Sequence, residues 1–221
     1  MKTRALPVTL ALLALLSAAT AAADPTGPCH CYRARTFDPA NPEAADPYIL
    51  ATVRSSLLSA AFGPPKRELV GAAMTGTSPE DLWIAHWAAP RVGLEAAALL
   101  EAKAARGSWK AALAGRPGLA GRFAEALPRG APDVELAAIA VDDVLVGRLG
   151  ADPAELAAAR VAGASTTETI LAALLAARLG TAPATVLAPV KAGKATWGVA
   201  LQALGLAPRD LDGVVRQALS R

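Results

Sequence analysis

The two cysteines of the chain stand one residue apart, as Cys29-His30-Cys31-Tyr32, and no other stretch so openly invites chemistry. Thiols this close can form a disulfide if the backbone turns, and so small a ring is strained and easily reduced. Alternatively, both thiolates and the imidazole of His30 could hold a metal. Structural zinc normally takes about four ligands, however, from cysteines spaced about two to four residues apart. A third reading is a plain disulfide that clips a loop in an oxidising compartment. Pairing between chains is a fourth. The haem-attachment spacing Cys-x-x-Cys-His is absent.

A second cluster is Trp83, His86 and Trp87, which share one helical face with Leu82. An imidazole between indoles could line a small pocket for an apolar ligand or contribute a metal ligand. It could equally be a core histidine hydrogen-bonded to a helix carbonyl. Catalytic signatures are missing: no Gly-x-Ser-x-Gly, no His-Glu-x-x-His, no phosphate loop and no dinucleotide fingerprint. A Ser-His-Asp set would need His30 or His86. A pair between Cys29 or Cys31 and His86 rests on inventory alone. Most carboxylates fall at helix starts, where capping explains them. No catalytic residue and no cofactor is assigned, and the chain leans away from enzyme.

The elements that must position these residues follow an export signal. Lys2 and Arg4, the apolar run Leu6–Leu16 and Ala21-Ala22-Ala23 predict a signal peptide over 1–23, cleaved near Ala23, and a periplasmic or secreted protein. The run is too short for a membrane span of about 20 residues, and no transmembrane segment is expected in the mature chain. Thr26-Gly27-Pro28 before Cys29 does not fit lipidation. The chain carries 22 Lys plus Arg against 19 Asp plus Glu; without Lys2 and Arg4 the balance is 20 against 19, a formal +1. Such a charge gives no case for nucleic acid.

Residues 24–45 hold prolines 25, 28, 39 and 42 and no periodicity, which predicts an extended segment. Aromatics are 4% of the chain and alanine and leucine dominate, so the fold class expected is all-α. Two units of about five to six short helices are predicted, over 46–131 and 132–221, packed together as one domain. Start signals are strong at Asp46-Pro47, Ser78-Pro79-Glu80-Asp81, Ser108-Trp109, Asp152-Pro153 and Pro208. The helix after Ser78 is expected to stop near Pro90, and Leu94, Ala98 and Leu99 of the next to face inward.

The two units read as copies of one another. Lys103-Ala-Ala-Arg-Gly-Ser-Trp109 returns as Lys191-Ala-Gly-Lys-Ala-Thr-Trp197, 88 positions on. Asp46 and Gly63 match Asp133 and Gly150 at 87. One residue inserted after Ser165 would pair Glu168 with Glu80, and Leu171, Leu174 and Leu175 with Trp83, His86 and Trp87. Trp109 and Trp197 are expected to staple short helices to their neighbours, with ligand stacking as the alternative. Lys103 and Lys191 are expected as solvated helix ends. Pro189 should kink the helix expected over 182–192.

The stretches Cys29–Pro39 and Asp46–Thr52 resemble the start of uncharacterised exported proteins of environmental proteobacteria. Leu179–Gly198 is similar to a Lys-x-Gly-x-x-Trp-Gly helical repeat of bacterial exported proteins without known activity; in the first unit Lys110 replaces the last glycine. The resemblance implies export and a helical repeat, and brings no catalytic residue. The function expected is an exported binding or scaffold module with a groove between its units, whose partner is a protein or a small apolar ligand. The rival is a thiol-redox or metal-handling protein acting through Cys29, His30 and Cys31.

Overall fold

A computed structural model describes residues 34–220, and every regular element among them is helical. The first half comprises α1 (Asp46–Phe62), α2 (Lys66–Met74), α3 (Pro79–Val92), α4 (Ala96–Arg106), α5 (Trp109–Ala112) and α6 (Gly121–Ala126). The second comprises α7 (Asp133–Leu149), α8 (Pro153–Val161), α9 (Thr166–Leu179), α10 (Pro183–Lys191), α11 (Trp197–Ala203) and, after a 3-10 turn at Pro208–Asp210, α12 (Leu211–Leu219).

Local chemistry sets most of these boundaries. Ser78 starts α3 by accepting the Asp81 N–H at 3.0 Å. Ser165 does the same for α9, and the Glu168 carboxylate closes a reciprocal box on the Ser165 N–H at 2.8 Å. Both helices end on glycines in the left-handed region, Gly93 at φ 68° and Gly180 at φ 65°, where a Cβ would be strained. Pro90 does not stop α3: it forfeits one backbone bond, but only Arg91 and Val92 follow it before Gly93 ends the helix. Pro189 likewise falls in the last turn of α10, and its carbonyl accepts the N–H groups of Lys194 and Ala195. Asp46 is not the cap of its own helix. Its carboxylate instead accepts the N–H groups of Trp197 and Gly198, at 3.0 and 2.8 Å, and so caps α11 across the molecule.

The helix order recurs. α1 and α7 have 17 residues each, α2 and α8 have 9, and α3 and α9 have 14, each pair starting 87 positions apart. The offset holds through Gly93 and Gly180, so the extra residue enters later than the sequence suggested. The counterparts of Trp83, His86 and Trp87 become Ile170, Ala173 and Leu174, and Glu168 stands opposite Asp81 rather than Glu80.

The halves interlock. α1 packs on α9 and α12 of the other half, while α7 packs on α3 and α6. One continuous apolar core results, with Trp83, Trp109, Trp197 and Phe123 among its largest side chains. Burying a side chain of this kind contributes roughly 1.5–3 kcal/mol. Ala98 faces outward rather than into this core. Residues 34–45 lie against α11: the Thr196 hydroxyl donates to the Pro42 carbonyl at 3.0 Å, and Phe37 covers Gly198. A Cβ on Gly198 would meet the Phe37 ring at 2.6 Å and the Pro42 oxygen at 3.0 Å.

Candidate functional site

Cys29, His30 and Cys31 lie outside the described residues, as does the stretch read as a signal peptide. The other cluster falls on α3 as expected, but its members part company. Trp83 is 1% exposed, meets Phe62 edge-on at 6.2 Å, and borders a cavity of only 10 Å³ beside Arg54 and Ser55. Its indole N–H is buried with no hydrogen-bond partner. His86 is half-buried, and burial alone pulls its pKa below the usual value. No hydrogen bond from its ring to a helix carbonyl is formed among the described residues, and it borders none of the cavities described here. Trp83 and Trp87, four residues apart on one face of α3, border different cavities, because Trp83 packs towards Phe62 of α1 and Trp87 towards Asp143 of α7.

Trp87 does line a cleft. It has a volume of 210 Å³ and lies where the halves meet, between the end of α3, the start of α6, the middle of α7 and Pro153 at the start of α8. Phe123, Ile139 and Val146 form its apolar wall, and Arg122, Asp142 and Asp143 its polar one. The indole N–H of Trp87 donates to Asp143 Oδ2 at 2.9 Å, and Arg91 Nη2 donates to the same oxygen at 2.6 Å. Arg91, one turn after Trp87, also lays its guanidinium 3.9 Å over the indole, while the Phe123 ring centre is 4.4 Å away. The stacking capacity of Trp87 is thus largely taken up by protein partners, and the cleft offers mainly Phe123 and aliphatic surface to a ligand.

Asp142 is the buried member of the carboxylate pair, with its side chain 10% exposed against 51% for Asp143. Arg160 of α8 donates to its Oδ1 at 2.5 Å, and Arg122 reaches its Oδ2 only at 3.5 Å. Arg160 also donates to the Ala138 carbonyl at 3.3 Å, tying α8 to α7. Chemically the cleft is an apolar hollow whose rim presents carboxylate oxygens and one loosely held, exposed guanidinium, Arg122. Sequence reasoning missed Asp142 and Asp143. Their signal was there: two consecutive acids in the middle of the apolar run Ala137–Val146, away from any helix start that capping could explain.

The anchors common to the halves serve packing. Trp109 donates its indole N–H to Asp81 at 2.8 Å, and Trp197 is 2% exposed. Lys103 and Lys191 are not simply solvated. Lys103 pairs with Asp81 at 3.0 Å and Asp133 at 3.2 Å, and Lys191 with Glu168 at 2.7 Å. Burial pulls the Lys103 pKa down, but hydrogen bonds to Asp81 and Asp133 outweigh it and raise the value. Each lysine so reaches back to the third residue of the helix before its own.

Two further hollows adjoin α7. One, of 360 Å³, continues from Asp143 and Arg91 towards Phe62 and Arg148; the other, of 270 Å³, lies between α7, α9 and α12. Among the described residues no group of three or more His, Cys, Asp or Glu is placed to hold a metal, and no helix is long and apolar enough to cross a membrane. No family model, no curated protein and no solved structure matches the chain.

Proposed function

We propose that this is an exported helical binding module whose ligand, a small and largely apolar molecule with a hydrogen-bond donor, occupies the cleft of Trp87, Phe123, Asp142 and Asp143. One observation carries the reading. At the junction of the halves a 210 Å³ apolar hollow is bordered by two mid-helix carboxylates, one of them nearly buried, for which helix capping gives no reason. Both are paired, Asp142 with Arg160 and Asp143 with Arg91 and Trp87, and the oxygen of Asp143 that these leave over can accept from a ligand. Export rests on the Lys2, Arg4 and Leu6–Leu16 pattern and on the resemblance to exported repeat proteins; the matching helix lengths support an internal duplication.

The test is native mass spectrometry of protein purified from a periplasm, compared with Val146→Phe, which fills the cleft from α7 without touching its charges. Ligand mass on the wild type and none on the variant supports the reading. Equal mass on both, or none on either across a panel of apolar amines and alcohols, refutes it.

The second reading, redox or metal handling, is favoured by the placement of both cysteines around His30. The same spectrum separates it: a stoichiometric metal, or thiols open to alkylation in that compartment, would move the function to Cys29, His30 and Cys31.

A further inference from the structure

The 270 Å³ hollow between α7, α9 and α12 is floored by Leu174 and Val214, and among the described residues its charged lining groups are Arg148 and Arg178. Neither guanidinium forms an ion pair or hydrogen bond among the described residues, and no carboxylate lines the hollow. The other half shows what is missing. At the 87-residue offset Arg178 corresponds to Arg91, whose guanidinium is satisfied by Asp143 and stacked on Trp87. The counterpart of Asp143 is Ser56, whose hydroxyl donates to Asp212, and the counterpart of Trp87 is Leu174. So Arg91 has a large aromatic ring from its own helix and a carboxylate from α7, whereas Arg178 stands unpaired above an apolar hollow.

We propose that this second hollow is a site for a small organic carboxylate with an aromatic or similarly bulky apolar body. The ligand's ring lies on Leu174 and Val214, and its carboxylate meets Arg178 and Arg148. Arg178 and Arg148 would hold the anion by charge-assisted hydrogen bonds, for which the planar guanidinium is well shaped. The volume lies just below the usual range for ligand pockets, about 300–1,000 Å³, which limits the ligand to roughly one ring and a short tail. Both arginines also stand in the last turns of their helices, where a cation offsets the helix dipole. A purely dipolar role, however, would leave the binding of a carboxylate indifferent to them.

Titration calorimetry of the full chain with phenylpropionate, phenylpropylamine and phenylpropanol tests the site. Phenylpropionate should bind at one site, and the amine and alcohol should bind at least about tenfold more weakly. Arg178→Gln should weaken phenylpropionate about tenfold or more, the loss of one charge-assisted contact. Ala177→Leu, at an exposed position on the rim, should block it with the fold intact. Val146→Phe in the other cleft should leave it unchanged, so this proposal and that for the Trp87 cleft stand or fall separately. The inference is overturned by no heat with the wild-type chain, by equal affinity for the three compounds, by an unchanged affinity in Arg178→Gln, or by loss of binding in Val146→Phe.

Discussion

Replacing Asp142 by asparagine should be among the more damaging single changes in this chain, and the structure says roughly how damaging. Asp142 is 10% exposed and Arg160 21%, and they meet at 2.5 Å. The asparagine would keep the shape but leave the guanidinium, whose Nε is already buried without a partner, facing a neutral amide. Removing one partner of a well-buried pair costs about 3–5 kcal/mol. Arg160 keeps some solvent and the Ala138 carbonyl, so about 2–3 kcal/mol is expected here. For a domain of this size that is a fall in Tm of roughly 5–10 °C. Urea unfolding followed by far-UV circular dichroism reads the loss directly. A cycle is then run with Asp142→Leu alone, Arg160→Met alone and the two combined. Because apolar replacement of a buried pair is often neutral, the double variant should recover most of the loss. A loss below about 1 kcal/mol for Asp142→Asn, or a double variant as unstable as the singles summed, refutes the reasoning that the charge of Asp142 is needed to satisfy Arg160.

Three further outcomes are expected. Gly198→Ala should drive Phe37 and Pro42 off α11 despite the better helix propensity of alanine, seen as faster proteolysis within residues 34–45 and a loss of about 1–2 kcal/mol. Burial pushes Asp212 up, but hydrogen bonds from Lys66 and Ser56 outweigh it and hold its pKa below 3.8; its stabilising share is present above that value and is lost as pH falls through the lowered one, so Asp212→Asn should flatten acid unfolding, modestly because the group is half exposed. Asp46 has the opposite sign: burial raises its pKa against the hydrogen bonds from Trp197 and Gly198, so its contribution is most favourable below 3.8 and falls as pH rises through the raised value, and Asp46→Asn should steepen acid unfolding in the same assay.

Helix class, the capping serines and the buried tryptophans were legible because each follows from one short stretch. Ser78 with Pro79, Ser108 before Trp109 and the glycines after α3 and α9 act through near neighbours. What was not legible lies across the fold. Asp46-Pro47 looks like a helix start by every local rule, yet the carboxylate turns to amides about 150 residues away, since α11 begins with two bare N–H groups beside it. The lysines of the paired motifs looked like solvated ends because their carboxylates, Asp81 and Glu168, sit on another helix. Trp83, His86 and Trp87 formed one face in the sequence, but the face is shared out among α1, α7 and solvent, and only Trp87 reaches the cleft.

The differences between the halves say more about function than their likeness. Packing alone would preserve large residues at matching places, as it does for Trp109 and Trp197. At α3 and α9 it does not: Trp87 and Arg91 stand against Leu174 and Arg178, and Asp143 on α7 stands against Ser56 on α1. An arginine stands at the matching place of α3 and α9, but only Arg91 has a carboxylate, Asp143, and an aromatic ring, Trp87, against it. Leu174→Trp should fill the second hollow with the kind of ring that Trp87 sets against Arg91. The variant should no longer bind phenylpropionate. Retained binding would mean that the two halves differ for packing reasons only.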